Sequence, residues 1–159
     1  MPAYENGATP FGQRPASELA APSQRTSGGD ISFDTGFATV APLNGRTLTD
    51  TVGASGVAFN QGRGLTCTAF GYPAAGPFDG ESLQSCAGPA TADPFGQSTA
   101  HGVPCDMTGG SSGGPWFIGS GSAGSQNSIN SFGYDGVAHT MFAPYWGSVI
   151  QATYVSASS

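Results

Sequence analysis

Lysine is absent from this 159-residue chain, and its four basic residues are all arginines: Arg14, Arg25, Arg46 and Arg63. Set against ten acidic residues they leave a net charge of -6. No basic cluster of the kind that phosphate-backbone contacts require is present, so a nucleic-acid partner is disfavoured. Long apolar runs are missing too. None approaches the ~20 residues that cross a bilayer, which excludes a membrane-spanning helix. The opening Met1-Pro2-Ala3-Tyr4-Glu5-Asn6-Gly7 has neither the basic start nor the apolar core of an export signal. No Cys-x-x-Cys pair occurs, and His101 is the one histidine near the cysteines, which argues against a zinc site.

What is present is glycine and proline, 26 and 12 residues, in a chain of which only 9% is charged. Among the three cysteines, Cys86 and Cys105 flank a Pro/Gly/Ala-rich excursion and are expected to staple its base, leaving Cys67 over. Closing a loop of about twenty residues is worth about 3 kcal/mol in the chain-entropy model. The rival reading is three free thiols in a reducing compartment.

Residues 1–30 read as loops, through clusters such as Thr9-Pro10-Phe11-Gly12 and Ser27-Gly28-Gly29. From Ile31 onward, short apolar segments alternate with turn signals. Gly36–Val40, Val57–Asn60, Leu65–Phe70, Trp116–Ile118, Ser128–Phe132 and Val137–Phe142 read as strands, which predicts an all-β barrel or sandwich. One helix is expected at the end: Pro144 opens a segment in which Tyr145, Val149 and Ala152 recur at roughly helical spacing.

The chemistry concentrates in Cys105-Asp106-Met107-Thr108-Gly109-Gly110-Ser111-Ser112-Gly113-Gly114-Pro115-Trp116. Glycines beside a serine let backbone amides approach a reacting carbonyl unobstructed. The amides of Gly110 and Ser112 are candidates to converge on one oxyanion. A Gly/Ser tether is the alternative, but such tethers do not usually run into Pro-Trp-Phe-Ile.

Gly110-Ser111-Ser112-Gly113-Gly114-Pro115 resembles the nucleophile motif of the trypsin/chymotrypsin superfamily, Gly-x-Ser-Gly-Gly-Pro, and in particular its bacterial extracellular branches. The resemblance implies a chymotrypsin-like double β-barrel and a serine endopeptidase acting on polypeptides. Residues 1–45 would be the remnant of the first barrel with the inter-barrel segment, and 46–159 the complete second barrel with a C-terminal α-helix. Ser112 takes the nucleophile position, with the Gly110 and Ser112 amides as oxyanion hole; Ser111 stands where the family usually has Asp. The triad aspartate heads a strand in this family, which implies Asp34 in Asp34-Thr35-Gly36-Phe37-Ala38, with Asp30 in Asp30-Ile31-Ser32-Phe33 as second choice. Ser131-Phe132-Gly133, beginning nineteen residues after Ser112, matches the strand that pairs with extended substrate. Asp106, six residues before Ser112, matches the base of a pocket for Arg or Lys side chains, though a turn-capping role is equally open. No metal or organic cofactor is required.

The family's histidine precedes its aspartate, whereas His101 and His139 both follow Asp34. They read as structural residues with satisfied ring nitrogens, His101 in a loop and His139 in a strand. The alternative Gly-x-Ser-x-Gly elbow, with Asp135 and His139 as partners, requires a helix directly after Ser112, where Gly113-Gly114-Pro115 starts one poorly. The expectation is therefore a truncated, extracellular peptidase fragment, inactive alone, which needs a missing N-terminal barrel carrying the histidine. An inert peptidase-like binding module and a Gly/Ser-rich secreted structural protein are the alternatives.

Overall fold

A computed structural model describes residues 1–119 and 123–159. Its strands are β1 (Ala16–Ala20), β2 (Phe37–Val40), β3 (Gly56–Val57), β4 (Thr66–Gly71), β5 (Gln84–Pro89), β6 (Thr91–Ala92), β7 (His101–Pro104), β8 (Pro115–Ile118), β9 (Ser125–Ile129) and β10 (Thr140–Ala143). Three helices accompany them: α1 (Ser23–Thr26), α2 (Leu48–Val52) and α3 (Ser148–Ala157). A five-stranded sheet runs β3-β9-β8-β4-β5, a three-stranded one β10-β7-β6, and β1 pairs with β2 alone.

The alternation of β4 explains the layering. Cys67 and Ala69 point inward and are buried, while Thr66, Thr68 and Phe70 are more exposed. Those inward residues meet Trp116 of β8 and, from the other sheet, Val103, Met141 and Ala143. The ladders of the described residues do not close into a barrel. Where β5 meets the end of β7, Pro89 and Pro104 lack N–H donors, and Gly88 packs so tightly on Pro104 that a Cβ would stand 2.8 Å from its ring. The Cys86–Cys105 disulfide bridges that seam, with a Cα–Cα separation of 5.2 Å. Cys67 is unpaired and buried, and burial pushes its thiol pKa up.

Three expectations about the elements need correction. The single helix expected at the end is joined by the short α1 and α2. The segment read as loops contains β1, whose Ala-Ser-Glu-Leu-Ala carries no alternation; its pairing partner β2, not its own pattern, makes it a strand. The final helix begins later than Pro144. Trp146 gives its carbonyl to Asn60 N–H at 2.8 Å and its indole N–H to Thr35 Oγ1 at 3.0 Å, which holds the chain extended until Gly147 caps α3. Trp146 is also the hub of an aromatic cluster with Phe37 and Phe59, and Tyr154 of α3 packs on the same two rings. In this way α3 pins β2 to the body.

Candidate active site

The loop after β7 alternates: Cys105 is buried, Asp106 exposed, Met107 buried. Beyond it the chain turns sharply through Gly109 and Gly110 to the exposed Ser112. Glycine is obligatory at two points. Gly110 has φ +101°, and a Cβ there would lie 2.7 Å from the Ala74 methyl; at Gly114 a Cβ would lie 2.0 Å from the Phe70 carbonyl oxygen.

The turn is fastened from within. Ser111 N–H and its hydroxyl both donate to Thr108 O, at 3.3 and 2.8 Å, and Gly114 N–H donates to Ser111 O at 3.1 Å. Gly113 N–H donates to Asn130 O and Asn130 N–H to Gly114 O, at 2.8 and 2.7 Å. The buried Asn130 carboxamide completes the arrangement. It accepts from the Trp116 indole at 2.7 Å and donates to Phe70 O and Ser111 O at 2.8 and 3.0 Å. With the amides of Ser111, Gly113 and Gly114 all occupied, those of Gly110 and Ser112 donate to no oxygen among the described residues.

A cleft of about 240 Å³ opens beside Ser112, walled by Met107, Thr108, Phe132, Gly133, Thr140 and Met141. Phe132 holds the wall in place by exchanging backbone bonds with Phe142 at 3.2 and 2.8 Å. The carbonyl of Ser131 and the amide of the exposed Gly133 have no partner among the described residues, a free edge with strand spacing. Next along, the Tyr134 hydroxyl donates to Asp93 Oδ2 at 2.7 Å. Burial opposes ionisation of Asp93, but bonds from Tyr134, Phe95 N–H and the Ser98 amide and hydroxyl outweigh it and bring its pKa down to about 2.

The two aspartates considered from sequence have different surroundings. Asp30 caps a short 3₁₀ turn, accepting from Ser32 N–H at 2.8 Å. Asp34 contacts a residue of the cleft wall: Ser131 Oγ donates to its Oδ2 at 2.5 Å, and Arg25 Nε donates to its Oδ1 at 2.6 Å. Asp106 lies elsewhere. It is paired with His139 in a separate depression of about 330 Å³ beside the disulfide, because the buried neighbours Cys105 and Met107 turn it outward.

Neither histidine matches its expected setting. His101 lies in β7, 5% exposed, stacked on Trp116 at 5.3 Å, and both ring nitrogens lack partners among the described residues. Burial, aided by the Arg63 charge, lowers its pKa to about 4. His139 is exposed, with φ +54°, and bonds Asp106 through Nδ1. The hydrolase-type elbow also fails, since the strand β8 and not a helix follows Ser112. Asn130 was the residue missed by sequence reading: nothing local marks a lone Asn as the joint of three segments.

No protein-family model matches the chain, and no curated protein matches it. Among solved structures it resembles the protease Anisep from Arthrobacter nicotinovorans, with 57% identity over 99% of this chain and 73% of that one, at a TM-score of 0.95. The thermostable serine protease AL20 from an extremophilic microorganism shows 49% identity over the same shares, at 0.93. A Glu endopeptidase, 17% identical over 99% of this chain and 70% of its own, shares the fold at 0.77. At these identities and coverages the chain belongs to the trypsin/chymotrypsin-like serine peptidases.

Proposed function

We propose that the chain carries the nucleophile-bearing part of an extracellular serine endopeptidase, with Ser112 attacking the peptide carbonyl. The observation that carries this is the pair of uncommitted amides, Gly110 and Ser112, in a turn whose other amides are fastened around an exposed hydroxyl. Such donors, pre-aimed and water-poor when substrate lies over them, stabilise a developing oxyanion at no cost in reorganisation. Asp34 supports the same reading. Its carboxylate, tied to Ser131, would orient an imidazole and stabilise the imidazolium formed as Ser112 loses its proton. The free Ser131 carbonyl and Gly133 amide would pair with an extended substrate.

In this reading neither His101, neutral and walled in, nor His139, engaged with Asp106, acts as base. The base belongs to a polypeptide longer than these 159 residues, which also completes the first barrel around residues 1–45; residues 46–159 form the second. The disulfide accords with an oxidising compartment. The cleft lining carries no charged side chain, so an uncharged residue is favoured before the scissile bond and Asp106 takes no part in selecting it.

A fluorophosphonate probe tests this. The 159-residue chain is expected to remain unlabelled, because an unassisted serine is a weak nucleophile. A form carrying the histidine-bearing barrel is expected to label at Ser112 and to lose the label in Ser112→Ala. Absence of label in that longer form would leave the inert peptide-binding module as the better reading.

A further inference from the structure

An oxyanion donor has to be held in place as well as left free, and between two glycines no side chain resists rotation of the peptide plane. The Gly109–Gly110 bond is trans, so its C=O and N–H point to opposite sides. The Gly109 carbonyl accepts from Ala74 N–H at 2.7 Å and Ala75 N–H at 3.2 Å. The Gly110 N–H therefore faces away from the loop of residues 72–80. Thr108 grips that loop a second time: its hydroxyl donates to Ala75 O at 2.6 Å and accepts from Ala75 N–H at 3.2 Å.

The loop is closed on itself by Gly80 N–H to Pro73 O at 2.8 Å and Phe78 N–H to Ala75 O at 3.1 Å. It is also strapped from outside. The Tyr72 hydroxyl donates to Tyr4 O at 2.6 Å, the Tyr4 hydroxyl donates to Glu81 Oε2 at 2.6 Å, and Asn6 N–H donates to Glu81 O at 3.1 Å. The rings of Tyr4 and Tyr72 meet edge to face at 5.9 Å. The hydrogen bond to the Glu81 carboxylate raises the Tyr4 pKa, keeping the phenol a donor.

We propose that Thr108, Tyr72 and Tyr4 are positioning residues for the Gly110 amide: through Ala74 and Ala75 they fix the plane of the Gly109–Gly110 peptide so that its N–H serves the oxyanion. None of the three needs to touch the reacting atoms for this. The inference rests on the reading of Gly110 and Ser112 as oxyanion donors.

The test is a titration of the ¹⁵N-labelled protein with acetylated tetrapeptides ending in Phe, Leu, Glu or Arg, whose free carboxylate stands in for the oxyanion. In the unaltered protein the Gly110 and Ser112 amide resonances are expected to shift together with that of Gly133. In Thr108→Val and in Tyr72→Phe the affinity is expected to fall by about three- to tenfold and the Gly110 shift to shrink by about half, while the Gly133 shift persists. Tyr4→Phe is expected to cost about twofold, and Thr108→Ser, which keeps the hydroxyl, to restore the response. In a form that turns over peptide, the first two variants are expected to lower kcat about tenfold with KM within about twofold. If Thr108→Val fails to fold, Tyr72→Phe, which loses one hydroxyl, carries the same reading. An unchanged Gly110 shift and affinity in folded Thr108→Val or Tyr72→Phe would overturn the brace. If instead neither Gly110 nor Ser112 responds to any peptide in the unaltered protein while Gly133 does, the oxyanion reading itself falls.

Discussion

Ser112 and Asp34 belong to regions built on opposite principles. Around Ser112, backbone bonds and glycines that admit no side chain leave the turn one shape, with a buried carboxamide joining β4, β8 and the loop. Around Asp34, the chain is a two-stranded ribbon with largely exposed faces, attached to the body through side chains: Trp146 to Thr35, Ser131 to Asp34, and Thr39 Oγ1 to Ala157 O at 3.2 Å. One region is shaped by its own sequence, and the other is positioned by its neighbours. An arrangement divided this way tolerates little change in the first region and draws its precision in the second from a few contacts.

Substitutions can widen or erase that contrast. In a form that turns over peptide, Ser112→Ala is expected to lower kcat by about 10⁶-fold, and a residual rate close to the original would break the assignment. Asp34→Asn is expected to cost about 10⁴-fold in kcat, and Asp30→Asn less than about twofold, by steady-state assay. Gly114→Ala should reveal the rigid side: forcing a methyl into the Phe70 carbonyl is expected to destabilise by about 3 kcal/mol, visible as a fall in Tm. The pH dependence of stability sharpens the same side. His101 titrates near 4 when folded and near 6.5 when unfolded, so the unfolded chain binds more protons between those values. Stability is then full above about pH 6.5 and falls by up to about 3 kcal/mol as pH drops towards 4. His101→Phe is expected to flatten that part of the profile in chemical denaturation. The smallest effect belongs to the ribbon: Arg25→Gln removes a half-exposed ion pair and is expected to cost less than about 1 kcal/mol.

The sequence made the rigid region legible and the other only partly so. Gly-Gly-Ser-Ser-Gly-Gly-Pro states its backbone demands locally, and the strands from Thr66, Pro115 and Thr140 follow apolar runs that can be seen without a fold. β5 and β7 hide in Ala-, Gly- and Pro-rich text because ladders to β4 and to β10, rather than apolar runs of their own, make them strands. Asp30 and Asp34 sit in equivalent short patterns, and the bond from Ser131, far along the chain, is invisible in either. Asp106 looked pocket-facing by its distance from Ser112, yet the two buried neighbours on either side reverse its direction.

The Asn130 side chain has a consequence for motion. Because one carboxamide holds Phe70 of β4, Trp116 of β8 and Ser111 at once, the turn around the hydroxyl cannot open as a small unit of its own. Deuterium should enter the Gly113 and Asn130 amides only when the five-stranded sheet itself comes apart, while the β1–β2 ribbon exchanges freely long before.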